Sequence, residues 1–498
     1  MLFINKQYIS KKFIYTVLFL IAFGAVFSST FNPLNFRWMN LDSSVYMTIA
    51  QGITHGQLPY RDFVDNKGPL AYFLSVPGLL LGSFTGVWIT ELVILFITAL
   101  FAWKTTIFFT TQKKALFVTA FGFVALLPFF FVNAGTEEYS LPFLMISFYI
   151  FTKYYFSLKQ NARFREIVIL GICFASAIMI RLNMFPLWAG FCLVIFVENL
   201  IKRHFALLVK YAFGFCLGII IVFIPIFIYL KVNGIIEDFF LHVIFNGAAR
   251  GFNKNIKDIV KTFYETMSNG YSFLPLILGV YWMIINFKNN RFTFYIGYTF
   301  SYFMMILFFS SLSSNPHYNL VLIPYFFSAL TFLVEIIYKA FSKRYTKNLS
   351  LIFLSVFFCF IFSEGLSKYL WDFSKIFRTN YTDRIKLINA GKMIDENTKL
   401  GDKIISLGEN GYIYLFTKRA SISKYFYQGY WLRTIPYAKE DFLYDVLTGK
   451  PIIIAICNYL GGIGEIDGYW HGPILEMMEK EYHLLSDENG FRLFIRND

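Results

Sequence analysis

The chain has 498 residues, of which 57% are hydrophobic and only 15% are charged, and its mean hydropathy is +0.54. A soluble domain does not sustain this balance over such a length, so we expect the lipid bilayer to be the main solvent of the chain. The formal net charge is +14, but the lysines and arginines lie in short clusters between apolar runs, which argues against nucleic acid as a partner.

Apolar runs long enough to cross a bilayer recur along most of the chain. A helix needs about twenty residues to cross the hydrocarbon. Eleven runs of this kind are predicted, at residues 12–29, 86–109, 115–132, 138–157, 166–182, 184–200, 206–230, 271–287, 292–311, 319–340 and 348–366. Lys6, Lys11 and Lys12 before the first run also fit a cleaved signal peptide, but the recurrence of similar runs favours an uncleaved first helix.

Basic clusters occur at every second connection between the predicted helices. They are Lys113-Lys114, Arg163/Arg165, Lys202-Arg203, Lys288/Arg291 and Lys343-Arg344/Lys347. Because lysine and arginine are enriched in cytoplasmic loops, these connections and the N-terminus are predicted to be cytoplasmic, and an odd number of spans then places the C-terminus outside. The low Ala and high Lys, Phe, Ile and Asn content indicates a bacterial chain, so the predicted location is the bacterial plasma membrane.

The first connection on the outer side is the richest in polar residues. It extends from Phe31 to about Gly86 and contains two amphipathic stretches, 43–56 and 69–81, which we expect to lie in the interface as helices. Asp42 comes directly before the first stretch, where its carboxylate is either the N-cap of the helix or a catalytic group. The same loop carries Tyr60-Arg61-Asp62 and Asp65-Asn66-Lys67.

Later outer connections contribute Glu137-Glu138, Arg181 and His317-Tyr318. Each has a plain structural interpretation, because acids favour helix N-termini and long polar side chains at the ends of spans reach the interface. Their occurrence on one side favours group transfer from a lipid phosphate, in which cations hold the phosphate and a carboxylate takes the proton of an attacking hydroxyl. Glu91, Glu198 and Glu335 are predicted near span ends, which counts against a transporter.

No cofactor is required by this hypothesis. Asp62, Asp65 and Glu137 offer the oxygen ligands that a divalent cation prefers, so a cation stays an alternative. The six histidines form no H-E-x-x-H or comparable zinc pattern. The run Gly461-Gly462-Ile463-Gly464 lacks the G-K-[ST] ending of a phosphate loop and is interpreted as a turn.

The composition becomes mixed after Ser367. Strands are predicted at 403–407 and 451–457, a helix start at 474–480, and a hairpin at 483–495 that turns at Glu488-Asn489-Gly490. We therefore expect an all-α polytopic membrane domain at 1–370, followed by a small extracytoplasmic α/β domain at 380–498.

The first outer loop resembles that of the GT-C superfamily, which includes protein O-mannosyltransferases and the aminoarabinose transferases of lipid A. The resemblance lies in an Asp just after the first span, G-x-x-P-Y-R-D at 56–62 and D-N-K-G-P-L at 65–70. It implies about eleven spans, catalytic groups in the outer loops and a polyprenyl-phosphate-linked sugar as donor. Where this chain has Asp42-Ser43, the mannosyltransferases carry an acidic pair. The lipid A enzymes have a shorter spacing before the lysine than Asp65-Asn66-Lys67. The match is therefore to the superfamily and not to one of its members.

By this resemblance Asp42 is the base on the acceptor hydroxyl, Glu137 is the acid of the second outer loop, and Lys67 contacts a phosphate. Arg181 and His317 are assigned to the phosphate, and Tyr60, Arg61, Asp65, Glu138 and Tyr318 to substrate or phosphate binding. The sequence thus predicts an inverting transferase acting on a glycan, lipid or protein hydroxyl in contact with membrane lipids. The alternatives are a lipid-linked polysaccharide polymerase or ligase and a non-enzymatic flippase or transporter.

Overall fold

The computed structural model describes residues 9–34, 40–130, 133–157, 161–247, 255–267, 270–287, 291–310, 316–342, 382–408, 411–428, 431–432, 435–457, 468–488 and 490–497, with isolated positions between 356 and 374. These residues form a bundle of helices followed by a small sheet with helices of its own. The predicted fold class, a polytopic all-α part joined to a small α/β part, is confirmed.

The helices of the bundle occupy every predicted apolar run except 348–366, which lies outside the described residues apart from isolated positions. They are α1 Lys11–Val26, α2 Leu41–Thr54, α3 Leu70–Phe73, α4 Val76–Thr106, α5 Gln112–Leu126, α6 Thr136–Phe156, α7 Phe164–Ile180, α8 Pro186–Ile201, α9 Phe205–Val232, α10 Ile236–Phe239, α11 Ile256–Met267, α12 Gly270–Ile285, α13 Phe292–Ser310 and α14 Ile323–Ser342. Six helical segments among the described residues are long and apolar enough to cross a membrane, or seven if α11 and α12 form one bent span. The predicted number of eleven spans is not confirmed.

Both predicted amphipathic stretches are helical in the structure. The first forms the helix α2, which is almost wholly buried beyond its first turn. The second is occupied by α3 and by the first part of α4, which ends at Leu81, and the long part of α4 that follows begins near the predicted start of the span at 86. Leu80 and Leu81 are among the most exposed apolar side chains of the described residues. Gly82 and Ser83 break the helical geometry inside α4.

The C-terminal part contains α15 Thr382–Glu396, β1 Lys403–Leu407, β2 Ala420–Ser421, α16 Pro436–Gly449, β3 Ile453–Cys457, α17 Gly468–Glu481, β4 Tyr482–Glu488 and β5 Phe491–Arg496. The strand order is β2-β1-β3-β5-β4, with the first three parallel and the last two antiparallel. The predicted strands and hairpin are confirmed, although α17 begins before the predicted start at 474. The predicted turn 461–464 lies outside the described residues.

The C-terminal part packs directly on the first outer loop. The backbone N–H of Gly411 donates to Ser44 Oγ at 3.0 Å, and Thr48 Oγ1 donates to the Gly411 carbonyl at 2.9 Å. Further along the loop, the Val64 N–H donates to the Lys424 carbonyl at 3.0 Å. The buried face of α2 therefore has polar partners in a domain that follows it by more than three hundred residues.

A close backbone contact joins the same loop to the end of α7. The Gly68 N–H donates to the Ile180 carbonyl at 3.1 Å. A Cβ on Gly68 would lie 2.0 Å from the Met179 carbonyl oxygen, so this position accepts only glycine without a shift of the backbone. The contact sets Lys67 beside the last turn of α7, which Arg181 follows.

We expect Gly68→Ala to lower the free energy of unfolding by about 1–3 kcal/mol, because the added methyl group must displace backbone atoms. The matched control is Gly472→Ala on α17, where nothing lies within 4 Å of the added Cβ. Thermal unfolding of the purified variants in detergent measures the difference. Equal midpoints for the two variants would show that the loop and α7 are not in this close contact.

Candidate active site

Asp42 lies in the first turn of α2 with its side chain exposed. The cap of this helix is Asn40, whose Oδ1 accepts the Asp42 N–H at 3.0 Å. The alternative interpretation of Asp42 as the N-cap is therefore wrong, because a residue with extended backbone geometry two positions earlier fills that role. The Asp42 carboxylate does not cap the helix and faces solvent at its positive end.

Tyr46 lies one helical turn after Asp42 and is buried. Lys67 Nζ is 5.8 Å from the centre of its ring. Burial raises the pKa of Tyr46 well above its ordinary value, the negative charges of Asp42 and Asp65 raise it further, and Arg181 opposes them. Tyr46 thus connects four of the predicted site residues, although the sequence analysis did not select it. The only sequence signal was its position four residues after Asp42, on the same helix face.

The loop after α2 presents Lys67 through its own hydrogen bonds. Lys67 Nζ donates to Asn66 Oδ1 at 2.6 Å. Tyr60, which is buried and has a left-handed φ of 72°, donates its hydroxyl to the Lys67 carbonyl at 2.8 Å. The structure thus places Tyr60 beneath Lys67, as a support for the loop backbone. Arg61 forms an exposed ion pair with Asp62, whose Oδ2 also accepts the Leu58 N–H at 2.7 Å.

Asp65 is 2% exposed and accepts two tyrosine hydroxyl groups. Tyr72 OH donates to Oδ2 at 2.7 Å, and Tyr427 OH of the C-terminal part donates to Oδ1 at 3.0 Å. Hydrogen bonds to an ionised carboxylate are about twice as strong as neutral ones, which makes this contact a strong link between the two parts of the chain. Tyr427 was missed by the sequence analysis, because its separation of 362 residues from Asp65 gives no local signal.

Glu137 and Arg181 form a buried ion pair between α6 and the end of α7. The exposed fractions of the two side chains are 4% and 11%, and Thr136 Oγ1 donates to the second Glu137 oxygen at 2.9 Å. The Arg181 guanidinium lies 4.6 Å from the centre of the Tyr318 ring, and Tyr318 packs edge-on against the buried His317. Lys67 and Arg181 both act electrostatically on His317, which joins the late outer loop to the same cluster.

Glu138 is turned away from this cluster and into the bundle. Its Oε2 accepts the Ala134 N–H at 3.1 Å and its carboxyl group meets that of Glu91. Glu91 lies near the start of the long part of α4, which follows the break at Gly82 and Ser83, so it is close to the end of a span as predicted, and it is fully buried. The carboxyl groups of Glu91 and Glu138 form a pair that the sequence analysis did not foresee.

The three carboxylates considered for a divalent cation have separate partners. Asp62 pairs with Arg61, Asp65 with two tyrosines, and Glu137 with Arg181. Among the described residues, no group of three or more His, Cys, Asp or Glu side chains is arranged to hold a metal ion. The predicted groups that the structure brings together are Asp42, Lys67, Glu137, Arg181, His317 and Tyr318, around Tyr46.

One known protein family matches most of the chain. A family model described as the N-terminal domain of the putative competence-induced protein Ccs4 matches residues 5–366. The chain belongs to this family. No curated protein matches it.

The fold of this Ccs4 family member also has relatives of known structure. ArnT from Cupriavidus metallidurans with undecaprenyl phosphate bound is similar at a TM-score of 0.61 and 12% identity, covering 97% of this chain and 98% of that one. ArnT in the apo state gives a TM-score of 0.57 at 13% identity, with coverage of 97% and 98%. At these identities the likeness is one of fold, and it agrees with the fold that the resemblance of the first outer loop implies.

The buried ion pair predicts a specific pattern of stability. Arg181→Met leaves Glu137 charged and unpaired and should cost about 3–5 kcal/mol, whereas Arg181→Met combined with Glu137→Gln should recover much of that loss. Thermal unfolding in detergent measures both. The exposed pair of Lys261 and Glu265, whose charged atoms lie 3.9 Å apart, is the control, and Lys261→Met should cost less than about 1 kcal/mol. A double variant as unstable as Arg181→Met alone would contradict the pairing.

Proposed function

We propose that the chain is an inverting membrane glycosyltransferase. It moves a sugar from a polyprenyl-phosphate donor to a hydroxyl group of an envelope glycan, lipid or protein, on the outer face of the bacterial plasma membrane. The observation that carries the proposal is an exposed carboxylate, Asp42, one helical turn from a buried tyrosine that Lys67 and Arg181 both approach. The likeness to ArnT, a structure solved with undecaprenyl phosphate, supports a lipid phosphate as the leaving group.

In the proposed reaction the Asp42 carboxylate accepts the proton of the acceptor hydroxyl. The acceptor oxygen attacks the anomeric carbon of the sugar from the face opposite the phosphate. The bond from that carbon to the phosphate oxygen breaks, and its electron pair stays on the departing polyprenyl phosphate. Asp42 suits the base role because it is the exposed carboxylate of the cluster, and general-base catalysis contributes about a hundred- to ten-thousand-fold.

The departing phosphate gains negative charge, which Lys67 and Arg181 stabilise. Arg181 has five N–H donors, and one of its terminal nitrogens is used by Glu137. The remaining donors can therefore bind a phosphate while Glu137 and the Tyr318 ring hold the guanidinium plane in place. His317 lies within the influence of both cations and adds a third contact to the phosphate or to the sugar beside it.

Asp42→Asn should lower kcat by at least about a hundredfold, because the amide cannot accept the proton. Its effect on folding should be small, since the side chain is exposed and the cap is Asn40. Transfer from a panel of polyprenyl-phosphate sugars by the purified protein is the assay. The matched control is Asp258→Asn, which changes another exposed carboxylate in the first turn of a helix and should keep wild-type turnover. Turnover near wild type in Asp42→Asn would remove Asp42 as the base.

Lys67→Ala should mainly raise KM for the lipid-phosphate donor, because it removes a cation that is present in both the bound state and the transition state. We expect a rise of about tenfold or more, in line with about 1.5–3 kcal/mol for a hydrogen bond to a charged group. Lys392→Ala, which removes an exposed cation of the C-terminal part, is the control. Unchanged kcat and KM in Lys67→Ala would exclude Lys67 from the phosphate site.

A further inference from the structure

Two carboxyl groups lie face to face inside the bundle, just beneath the second outer loop. Glu91 of α4 is 0% exposed and Glu138 of α6 is 1% exposed. Ser29 Oγ donates to Glu91 Oε2 at 2.6 Å. The Ala134 N–H is shared by both groups, at 2.8 Å from Glu91 Oε1 and 3.1 Å from Glu138 Oε2. Because both accept the same N–H group, the two carboxyl groups lie next to each other.

This arrangement requires a shared proton. Among the described residues, no lysine, arginine or histidine acts on either carboxyl group. Two ionised carboxylates in contact within an apolar interior repel each other, and neither has a cation to offset its desolvation. With one proton between them, one carboxyl group donates to the other, and the remaining oxygens accept from Ser29 and Ala134. The pair then acts as a single hydrogen-bonded unit that joins α4 to α6.

The unit holds a strained turn. Ala134 has a left-handed φ of 51°, a conformation that costs a residue with a side chain about 1–3 kcal/mol and persists only where the surroundings enforce it. The preceding Asn133 is fixed as well, since its carbonyl accepts Ser43 Oγ at 2.7 Å and its Oδ1 accepts the Thr30 N–H at 3.1 Å. The turn is therefore anchored on one side by the carboxyl pair and on the other by the residue that follows Asp42.

We propose that Glu91 and Glu138 are positioning residues, a one-proton carboxyl pair that locks the turn at 133–134 and thereby fixes Asp42 relative to Glu137. Ser43 carries the constraint to Asp42, and Glu137 directly precedes Glu138 on α6. Glu138 then acts on the site from beneath and does not contact substrate. The catalytic consequence rests on the proposed glycosyl transfer, whereas the structural consequence does not.

The structural consequence is tested by hydrogen exchange and mass spectrometry of the full-length protein in detergent, on peptides that cover 40–46 and 133–139. Glu91→Gln and Glu138→Gln each retain a hydrogen-bonded pair with one carboxylate, so both should keep the protection of these peptides. Glu91→Met with Glu138→Met removes the pair without leaving a buried charge, and protection of both peptides should fall at least about tenfold. A peptide from α9 should keep its protection in every variant.

Ser43→Ala removes the hydrogen bond from α2 to the Asn133 carbonyl and leaves the carboxyl pair intact. It therefore tests the link to Asp42 even if the double Met variant does not fold. It should loosen peptide 40–46 alone. Glu335→Gln is the matched control, since it alters another acid that is hydrogen-bonded between helices, to Thr110 and Lys114, and should leave both peptides unchanged. Unchanged exchange in the double Met variant, or in Ser43→Ala if the double variant does not fold, would overturn the proposal. Single Gln variants as exposed as the double Met variant would refute the shared proton.

Activity measurements then separate positioning from simple stability. In the double Met variant kcat should fall at least about tenfold per folded molecule while KM for the donor stays within about twofold, because Asp42 is displaced and the phosphate cations are not. The single Gln variants should keep kcat within about threefold. A loss of folded protein with unchanged kcat would show a structural role only and overturn the catalytic part. If the wild type transfers no sugar, the proposed function fails, whereas the exchange comparison still decides the role of the pair.

Discussion

The ion pair of Glu137 and Arg181 is the interaction on which the site depends. A guanidinium and a carboxylate that are both almost fully buried are tolerated because each offsets the charge of the other and Thr136 satisfies the remaining oxygen. The pair joins the start of α6 to the end of α7, and Gly68 joins that same end to the first outer loop. Three segments that are far apart in the sequence are thus held together at one end of the bundle.

The carboxyl groups in and beneath the candidate site have different surroundings. Asp42 is exposed, Asp65 is held by two tyrosine hydroxyl groups, Glu137 is neutralised by a guanidinium, and Glu138 shares its proton with Glu91. In the proposed reaction only an exposed carboxylate can meet an acceptor hydroxyl directly, and the buried ones fix the backbone around it.

The C-terminal part supplies hydrogen-bond partners to the first outer loop. Tyr427 supplies one of the two donors to Asp65, and Gly411 occupies the buried polar face of α2. Loss of these contacts would leave the Asp65 carboxylate with one donor and two α2 hydroxyl groups without their present partners. Because buried polar groups without partners are costly, the first outer loop and the C-terminal part should be stable only together.

The sequence by itself determined the helical runs, the strands of the C-terminal part and the identity of Asp42, Lys67, Glu137, Arg181 and His317 as a cluster, because apolar length and charge sign depend on local composition. It did not determine the cap at Asn40 or the partners of Asp65 and Glu138. Tyr427 is separated from Asp65, Glu91 from Glu138 and Ser43 from Asn133 by tens to hundreds of residues, and nothing in a local pattern states which distant group a buried polar side chain will meet. Only the tertiary structure decides these partners, because a buried charge lowers the stability of the folded chain unless a distant group pairs with it.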